Sequence, residues 1–259
     1  MRLFLALALL LSTAGTALAQ ADPRVFPDTG FSILDDAIWN FFTLHGGSST
    51  FGAPISREFT LMGQPVQIFQ NGALQVQPDG SVQALQLTDP GLVPYVHLNG
   101  LTVPGADPAL AFVAPTPDDP NYSARLQVFL QNTVPDTWNG QPVQFWSTYA
   151  AAGGSSVWGV PTSAPAADPN NRQFVYQRFQ NGVLMYDSTA GTTQALPMGA
   201  YLKEILSGQN LPTDLASEAA SSPLLRGVGV TTADLTVAFV PDAGITRVGS
   251  GAWAIGGAA

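Results

Sequence analysis

The feature that most constrains the fold of this chain is a segment that it contains twice. IFQNGALQV at residues 68–76 recurs as RFQNGVLMY at residues 178–186. The preceding residues recur as well, since AIWNFFTLHGGSSTFGAPIS at 37–56 matches QFWSTYAAAGGSSVWGVPTS at 144–163. Ordered matches of this kind indicate a fold built from copies of one structural unit. The sequence therefore predicts two copies of one module.

The residues around these copies suggest their borders. Arg2, a short apolar run and ALA at residues 17–19 predict a signal peptide that is removed before Gln20. The apolar run is too short to span a membrane as a helix, so we expect a secreted, soluble protein that is extracellular or associated with the cell envelope. We divide the chain into a signal peptide at 1–19, module 1 at 20–103, a proline-rich connector at 104–122, module 2 at 123–206 and a C-terminal extension at 207–259.

The composition limits the kind of partner. Hydrophobic residues make up 46% of the chain and charged residues 10%, which is enough apolar material for a packed core. The absence of cysteine excludes disulfides and thiolate metal sites. The formal net charge of -9 argues against nucleic acid and anionic lipid, because binding a polyanion requires an excess of Lys and Arg. We expect a neutral or cationic partner.

Each copy is predicted to begin with an amphipathic helix. In the first copy, Ser32 is the expected N-cap and Gly46 the residue that stops the helix. In the second copy, Asn139 is the expected N-cap and Pro142 is expected in the first turn. Glycine followed by x-Pro then predicts a rigid bend. We call these two bends the corners, at residues 52–55 and 159–162.

The FQNG sequence is predicted to close a β-hairpin in each copy. Asn-Gly is the preferred central pair of a two-residue type I′ turn. Such a turn places Phe69 opposite Leu74 and Gln67 opposite Val76, with the same pairing in the second copy. Side chains of these pairs that share one face should be covered by the helix. We assign to this face Phe69, Leu74, Val76, Phe179, Leu184 and Tyr186.

Two further elements complete the predicted fold. A third strand is expected at Val82–Leu87 in the first copy and at Thr193–Met198 in the second, followed by a helix at Tyr201–Leu206. The fold class is then α+β: two copies of a helix plus an antiparallel β-meander, with irregular Pro/Gly-rich connectors.

At the corners and hairpins the sequence resembles the LGFP repeat family, whose units combine a tryptophan helix, a Gly-Gly turn, a Gly-x-Pro corner and a Phe-x-x-Gly hairpin. It is also similar to repeats in secreted proteins of Chloroflexi-type bacteria. The resemblance implies an extracellular, non-catalytic module associated with the cell envelope. Phe51 and Trp158 depart from the leucine of the LGFP pattern. The matching residues are Trp39, Gly46, Gly47, Gly52, Pro54, Phe69, Gly72, Trp146, Gly153, Gly154, Gly159, Pro161, Phe179 and Gly182.

Residues that could support catalysis have structural explanations. The two histidines, His45 and His97, have no counterpart in the second copy, and no GxSxG sequence precedes a predicted helix. DPNN at 168–171 lacks the ligand spacing of an EF-hand. We therefore expect no enzyme activity, no cofactor and no metal site. A glycosidase would need a pair of carboxylates. The candidates are Asp35, Asp36, Glu58, Asp118, Asp187 and Glu204.

Aromatic and polar side chains of module 2 are the candidate ligand-binding residues. Flat rings can stack on sugars, and neighbouring polar groups can bond to hydroxyls. We predict ligand contacts for Trp158, Tyr176, Arg178, Tyr186 and Asp187, whereas Trp39 and Trp146 lie on the helix stripe and belong to the core.

These observations lead to three functional hypotheses. The first is a secreted, non-enzymatic repeat protein that binds cell-envelope or extracellular polysaccharide, with weak sites on both copies acting together. The second is a structural surface or adhesion component that binds protein, for which the apolar tail after Gly249 is available. The third is a glycoside hydrolase that uses an Asp/Glu pair.

Overall fold

The computed structural model describes residues 22–222, 224, 232–242, 245–247 and 253–255. The predicted signal peptide at 1–19 lies outside these residues. Most of the tail after Gly249 also lies outside them, except for Trp253–Ile255, whose backbone forms a strand. The described part of the chain is a mixture of helices and antiparallel sheets, which confirms the predicted α+β class.

The elements of the first half come in the order strand pair, helices, sheet and strand pair. They are β1 (Val25–Phe26), β2 (Phe31–Ser32), α1 (Asp36–Leu44), α2 (Ser48–Phe51), β3 (Phe59–Leu61), β4 (Gln64–Ile68), β5 (Ala73–Val76), β6 (Val82–Ala84), β7 (His97–Leu98) and β8 (Leu101–Thr102).

The second half begins with two connecting helices and repeats the order of helices and sheet. Its elements are α3 (Pro108–Val113), α4 (Tyr122–Thr133), α5 (Phe145–Ala151), α6 (Ser155–Trp158), β9 (Ala166–Ala167), β10 (Phe174–Arg178), β11 (Val183–Asp187), β12 (Thr192–Ala195), α7 (Met198–Ser207), α8 (Thr213–Ala219), α9 (Thr232–Ala238), β13 (Ile245–Arg247) and β14 (Trp253–Ile255). Among the described residues, no helix combines the length and the apolar character that a membrane crossing requires.

Each half contains a four-stranded antiparallel sheet, with the order β3-β4-β5-β6 in the first and β12-β11-β10-β9 in the second. The predicted meander had three strands, so the strands before the hairpins, β3 and β9, were missed. The third strands are also shorter than predicted, at Val82–Ala84 and Thr192–Ala195. The helix predicted at Tyr201–Leu206 is present as the longer α7.

Both predicted helix caps were wrong. The carboxylate of Asp35, not Ser32, caps α1 by accepting a hydrogen bond from the Ile38 N–H at 2.8 Å. Ser32 is instead a residue of strand β2. Helix α1 ends at Leu44, just before the glycine expected to stop it. Helix α5 begins at Phe145, so Pro142 precedes it and is not in its first turn.

The register of the repeated hairpins differs from the prediction by two residues. Gln67 lies opposite Leu74, and Phe69 donates its N–H to the Gly72 carbonyl at 2.8 Å. The turn is therefore centred on Gln70 and Asn71. Both residues form hydrogen bonds at or next to the first corner. The Gln70 N–H donates to the Ala53 carbonyl of the corner, and the Asn71 N–H donates to the carbonyl of Phe51 just before it. These tertiary hydrogen bonds override the local preference for an Asn-Gly type I′ turn.

A shift of two residues leaves every side chain on its predicted face, because side chains alternate with a period of two. The assignment of the helix-covered face is confirmed for most of the hairpin. Phe69, Leu74, Phe179, Leu184 and Tyr186 are all buried in one cluster with residues of α1 and α5, and Val76 is partly buried beside them. Asn-Gly turns with positive φ at both residues occur elsewhere, at 99–100 and 139–140, where the predicted cap Asn139 is a turn residue.

Two hydrophobic cores hold the molecule together, and each draws residues from both halves. The helix-side core contains Phe42 and Phe69 from the first half and Tyr149 and Phe179 from the second. The second core lies on the other face of the hairpins and joins Ile68 to residues of the second half such as Tyr176 and Leu202. Neither half therefore buries its own apolar residues without the other.

Phe69 and Phe179, which occupy equivalent positions in the two hairpins, have closely matching surroundings. Phe69 stacks on Phe42 with ring centroids 5.3 Å apart, and Phe179 stacks on Tyr149 at the same distance. Phe69 also bridges to Pro54 of the first corner, as Phe179 does to Pro161 of the second. Such matched contacts are what the predicted duplication requires, and the duplication itself stays a prediction.

Each hairpin turn is held by the chain that leaves the other sheet. Beyond β6, Thr88 donates its hydroxyl to the carbonyl of Phe179 at 2.8 Å and its N–H to the carbonyl of Gln180. At the start of α7, Ala200 donates its N–H to the carbonyl of Gln70 at 3.1 Å. These exchanges lock the halves to one another.

The C-terminal part of the described chain returns to the N-terminal part. The Asp242 carboxylate forms an ion pair with Arg57 at 2.6 Å and accepts a hydrogen bond from the Ser32 N–H at 3.1 Å. Lys203 donates to the Ile55 carbonyl, with its ammonium 5.1 Å from the ring centres of Phe31 and Phe239. Helix α9 is thereby fastened to the first half.

Candidate functional site

Four of the five residues that were predicted to bind a ligand are buried, whereas Asp187 is partly exposed. Trp158 is 4% exposed, Tyr176 0%, Arg178 1% and Tyr186 4%. None of these side chains can present a face to a sugar. The prediction is corrected because strand β10 is covered on both sides, by the helix-side core on one face and by the second core on the other.

Arg178 has a structural role that accounts for its position. Its guanidinium donates hydrogen bonds to the carbonyls of Pro104, at 2.7 Å, and of Tyr95. Both acceptors lie on the chain that leads from module 1 into the connector. Burial lowers the pKa of Arg178 to about 10, which leaves the group charged at neutral pH. The matching position of the first copy is the buried apolar residue Ile68.

Trp158 and Asp187 are also occupied by the fold. The indole of Trp158 packs on Phe179, with ring centres 6.0 Å apart, between the two halves. Asp187 accepts hydrogen bonds from the Gln173 amide at 2.9 Å and the Thr189 N–H at 2.8 Å, and these bonds lower its pKa. Its carboxylate therefore orders the turn between β11 and β12.

Asp168, the first residue of the DPNN segment at 168–171, is a structural carboxylate. It is fully buried and accepts hydrogen bonds from the Tyr176 hydroxyl and from three backbone N–H groups. The backbone donors are those of Thr102, Asn170 and Asn171. Burial alone raises the pKa of Asp168, but these hydrogen bonds outweigh it and hold the pKa below its ordinary value.

We expect the Asp168→Asn variant to lose about 2 kcal/mol of unfolding free energy at pH 7, because hydrogen bonds to a charged acceptor are replaced. A lowered pKa means that this stabilisation is complete above the ordinary carboxyl pKa of about 3.9 and is lost as the pH falls through the folded-state value. Urea unfolding between pH 7 and pH 3 should show the gap between wild type and variant closing in acid. Asp118→Asn, at an exposed position, is the control. A gap of constant size would contradict the assignment.

Of the carboxylates considered for glycoside hydrolysis, Asp35 and Asp36 have structural roles at the start of α1. Asp35 caps α1, and Asp36 forms an ion pair with Arg24 at 2.6 Å. Partial burial, and in second place the charge of Asp35, raise the pKa of Glu58. Burial also raises the pKa of Glu204.

The histidines likewise contact their local surroundings. The His45 ring stacks on Phe41 at 4.1 Å, and its Nδ1 lies 2.9 Å from the Phe41 carbonyl. His97 pairs with Glu218, whose carboxylate also accepts the Val96 N–H. Within the part of the chain that the structure describes, no three His, Asp or Glu side chains come together as metal ligands.

A cleft lined by polar and apolar side chains lies at the second corner. Its volume is about 340 Å³, within the range of small-molecule sites. We call it the corner cleft. All the residues found to line it are uncharged: Gln86, Ala111, Ala114, Pro115, Thr116, Pro117, Tyr122, Val160, Pro161, Thr162 and Gln180.

Hydrogen bonds fix the walls of the corner cleft before any ligand arrives. The Gln180 side-chain oxygen accepts the Val160 N–H at 3.0 Å, and the Gln180 N–H returns to the Val160 carbonyl at 3.0 Å. The connector is tied to the corner by the Asp107 N–H, which donates to the Thr162 carbonyl at 2.7 Å. The Asp107 carboxylate also caps α3. Such preorganisation reduces the entropy lost on binding.

At the first corner two backbone carbonyls are bound by α7, just as the matching carbonyls of the second corner are bound by Thr88 and Asp107. Ala200 bonds to the Gln70 carbonyl and Lys203 to the Ile55 carbonyl, the positions that match Gln180 and Thr162. The corner cleft lies at the second corner, and the expectation of weak sites on both copies stays a prediction.

Comparisons with known proteins give no further guide to the site. No family model, no curated protein and no solved structure matches this chain. The resemblance to LGFP repeats stays a prediction that rests on the corner and hairpin residues alone.

Proposed function

We propose that this protein is a secreted, non-enzymatic module that binds a neutral glycan of the cell envelope or extracellular matrix in the corner cleft. The observation that carries the proposal is the lining of the cleft, in which hydrogen-bonding side chains surround proline and tyrosine surfaces. Amide and hydroxyl groups can donate to and accept from sugar hydroxyls, and a tyrosine ring offers an apolar face. The export of the protein is inferred from the N-terminal sequence.

The charge of the site supports a neutral ligand over an acidic one. The lining residues of the corner cleft carry no charge, and the chain as a whole has a formal net charge of -9. An anionic ligand would find no positive group in the cleft and would be repelled at longer range. A neutral polysaccharide meets neither obstacle.

Tyr122→Ala should weaken binding to neutral polysaccharide about tenfold, because an aromatic side chain in the centre of a binding site commonly contributes more than 1 kcal/mol. Retention of the full-length chain on immobilised neutral and acidic polysaccharides provides the measurement. Gln83→Ala is the matched control, since Gln83 is exposed on β6 outside the cleft. Unchanged melting temperatures must show that both variants are folded.

Two results of this experiment would count against the proposal. Equal retention of wild type and Tyr122→Ala would remove the corner cleft from the binding site. Retention on acidic polysaccharide alone would contradict the argument from charge.

The adhesion hypothesis is less well supported by the described residues. It relied on an apolar tail that is available for assembly, but the tail backbone at Trp253–Ile255 pairs with β13 of the same chain. Light scattering of the full chain and of a form truncated after Gly249 would distinguish the two. Large assemblies that disappear on truncation would favour adhesion.

A further inference from the structure

A second cavity adjoins the corner cleft and differs from it in character. It is a groove of about 360 Å³ between the end of α3 and one face of α4. We call it the connector groove. Its lining is mainly apolar and consists of Val113, Pro115, Ala124, Arg125, Val128 and Phe129.

The connector groove keeps apolar side chains in contact with solvent. Val113 is 58% exposed and Val128 57%, and the neighbouring Phe112 is 90% exposed. Helix α3 has no buried residue at all, so this surface is not explained by packing within the described chain. A contiguous exposed apolar surface of this kind commonly marks a binding site.

Two observations join the groove to the cleft. Pro115 lines both cavities, so the cleft and the groove lie next to one another along the connector. In the first turn of α4, Tyr122 lines the cleft whereas Ala124 and Arg125 line the groove. A polar site and an apolar site thus share one wall.

The charge of the groove also favours an uncharged occupant. Arg125 is its charged lining residue among those described, and its guanidinium pairs with the Asp119 carboxylate at 2.8 Å. The aliphatic part of an arginine can cover apolar surface while its charged end stays in water. The groove therefore offers methylene and methyl surface without a net charge.

Resting on the proposed glycan site, we propose that the ligand is amphiphilic: a neutral sugar that carries an alkyl or acyl chain. The sugar occupies the corner cleft and the chain lies in the connector groove. Each methylene that leaves water for the groove adds to the affinity. Because the proposed glycan belongs to a polysaccharide, the ligand of this class is an acylated polysaccharide.

Binding of simple alkyl glycosides tests this inference. The probes are methyl, hexyl and octyl glycosides of glucose, galactose and mannose, titrated into the full-length chain below their micelle concentrations. For a sugar that binds, we expect about a twofold to fourfold gain in affinity for each methylene in the groove. Val128→Asp should abolish the gain with chain length and leave the affinity for the methyl glycoside unchanged.

A matched control is Val237→Asp on α9, where the valine is 58% exposed. This variant should retain the full chain-length gain. Tyr122→Ala should instead weaken the methyl and octyl glycosides by the same factor.

The possible outcomes separate the two proposals. Methyl glycosides that bind without any gain on lengthening the chain overturn the amphiphilic ligand and leave the glycan site standing. Octyl phosphocholine that binds as tightly as the octyl glycosides overturns both. A chain that forms dimers, which Val128→Asp dissociates without any effect of chain length on binding, shows that the groove is a protein interface and overturns the inference.

Discussion

Gly199→Ala should destabilise the protein by at least about 3 kcal/mol, beyond the usual range for an overpacked site. A Cβ at residue 199 would lie 1.9 Å from the carbonyl oxygen of Phe69 and 2.5 Å from that of Gly72. Both are backbone atoms of the first hairpin, so no side-chain rotation can relieve the overlap. Helix α7 would have to move away from the turn, which would break the Ala200 hydrogen bond to Gln70.

Urea unfolding of the full chain measures this effect, and Gly105→Ala is the matched control. A Cβ at residue 105 would meet only the Val96 side chain, at 3.6 Å, which is an ordinary van der Waals contact. We expect a change below about 1 kcal/mol for this control. If both variants unfolded at the same urea concentration, the close approach of α7 to the hairpin would be wrong.

Arg178→Ala should reduce the unfolding free energy by about 3–5 kcal/mol. Two effects add up: a cavity forms where a fully buried side chain is removed, and the carbonyls of Tyr95 and Pro104 lose their donor in a region closed to water. The second effect reaches the connector, because these two carbonyls hold the chain between module 1 and α3.

Two further variants separate volume from hydrogen bonding. Arg178→Met fills much of the space but leaves the carbonyls without a donor, so it should recover only part of the loss. Arg172→Ala removes an exposed arginine six positions earlier and should change stability by less than about 0.5 kcal/mol. Full recovery in Arg178→Met would show that the buried charge contributes nothing beyond its volume.

Local sequence patterns predicted the parts of the fold that depend on few residues. The alternation along the hairpins identified Phe69 and Phe179 as core residues. The spacing in the helices assigned Trp39 and Trp146 to the core, and both pack against the helix-side core. These features survive a shift in register, because they depend only on which side of a strand or helix a residue occupies.

Features that depend on distant parts of the chain could not be predicted in this way. Hydrogen bonds at the first corner set the turn at Gln70 and Asn71. Asp35, not the predicted Ser32, caps α1, and Ser32 lies in strand β2. The burial of Tyr176 and Arg178 likewise depends on distant parts of the chain. The prediction assumed one open face of β10, whereas α7 and the connector cover it. The neighbouring strand β11 begins with the continuous apolar run 183–186, which is typical of a strand buried on both faces, and this run was the available signal.

The candidate site was less predictable still. The second corner was predicted as a rigid bend, but the cleft beside it depends on the connector, where Asp107 caps α3 and bonds to Thr162. Gln86 and Tyr122 line the cleft although both lie outside module 2 at 123–206. Tyr122 is placed there as the first residue of α4, and Gln86 is placed there because the nearby Thr88 bonds to the second hairpin.

The ion pair between Asp242 and Arg57 joins two residues that are synthesised far apart in time. Asp242 also donates its N–H to the Gly30 carbonyl at 2.6 Å and accepts from the Ser32 N–H. A ribosome releases residues 30–57 long before residue 242 is made, so the early segment lacks these partners throughout translation. Asp242 can therefore make its contacts with Arg57 and Ser32 only after both four-stranded sheets have been synthesised.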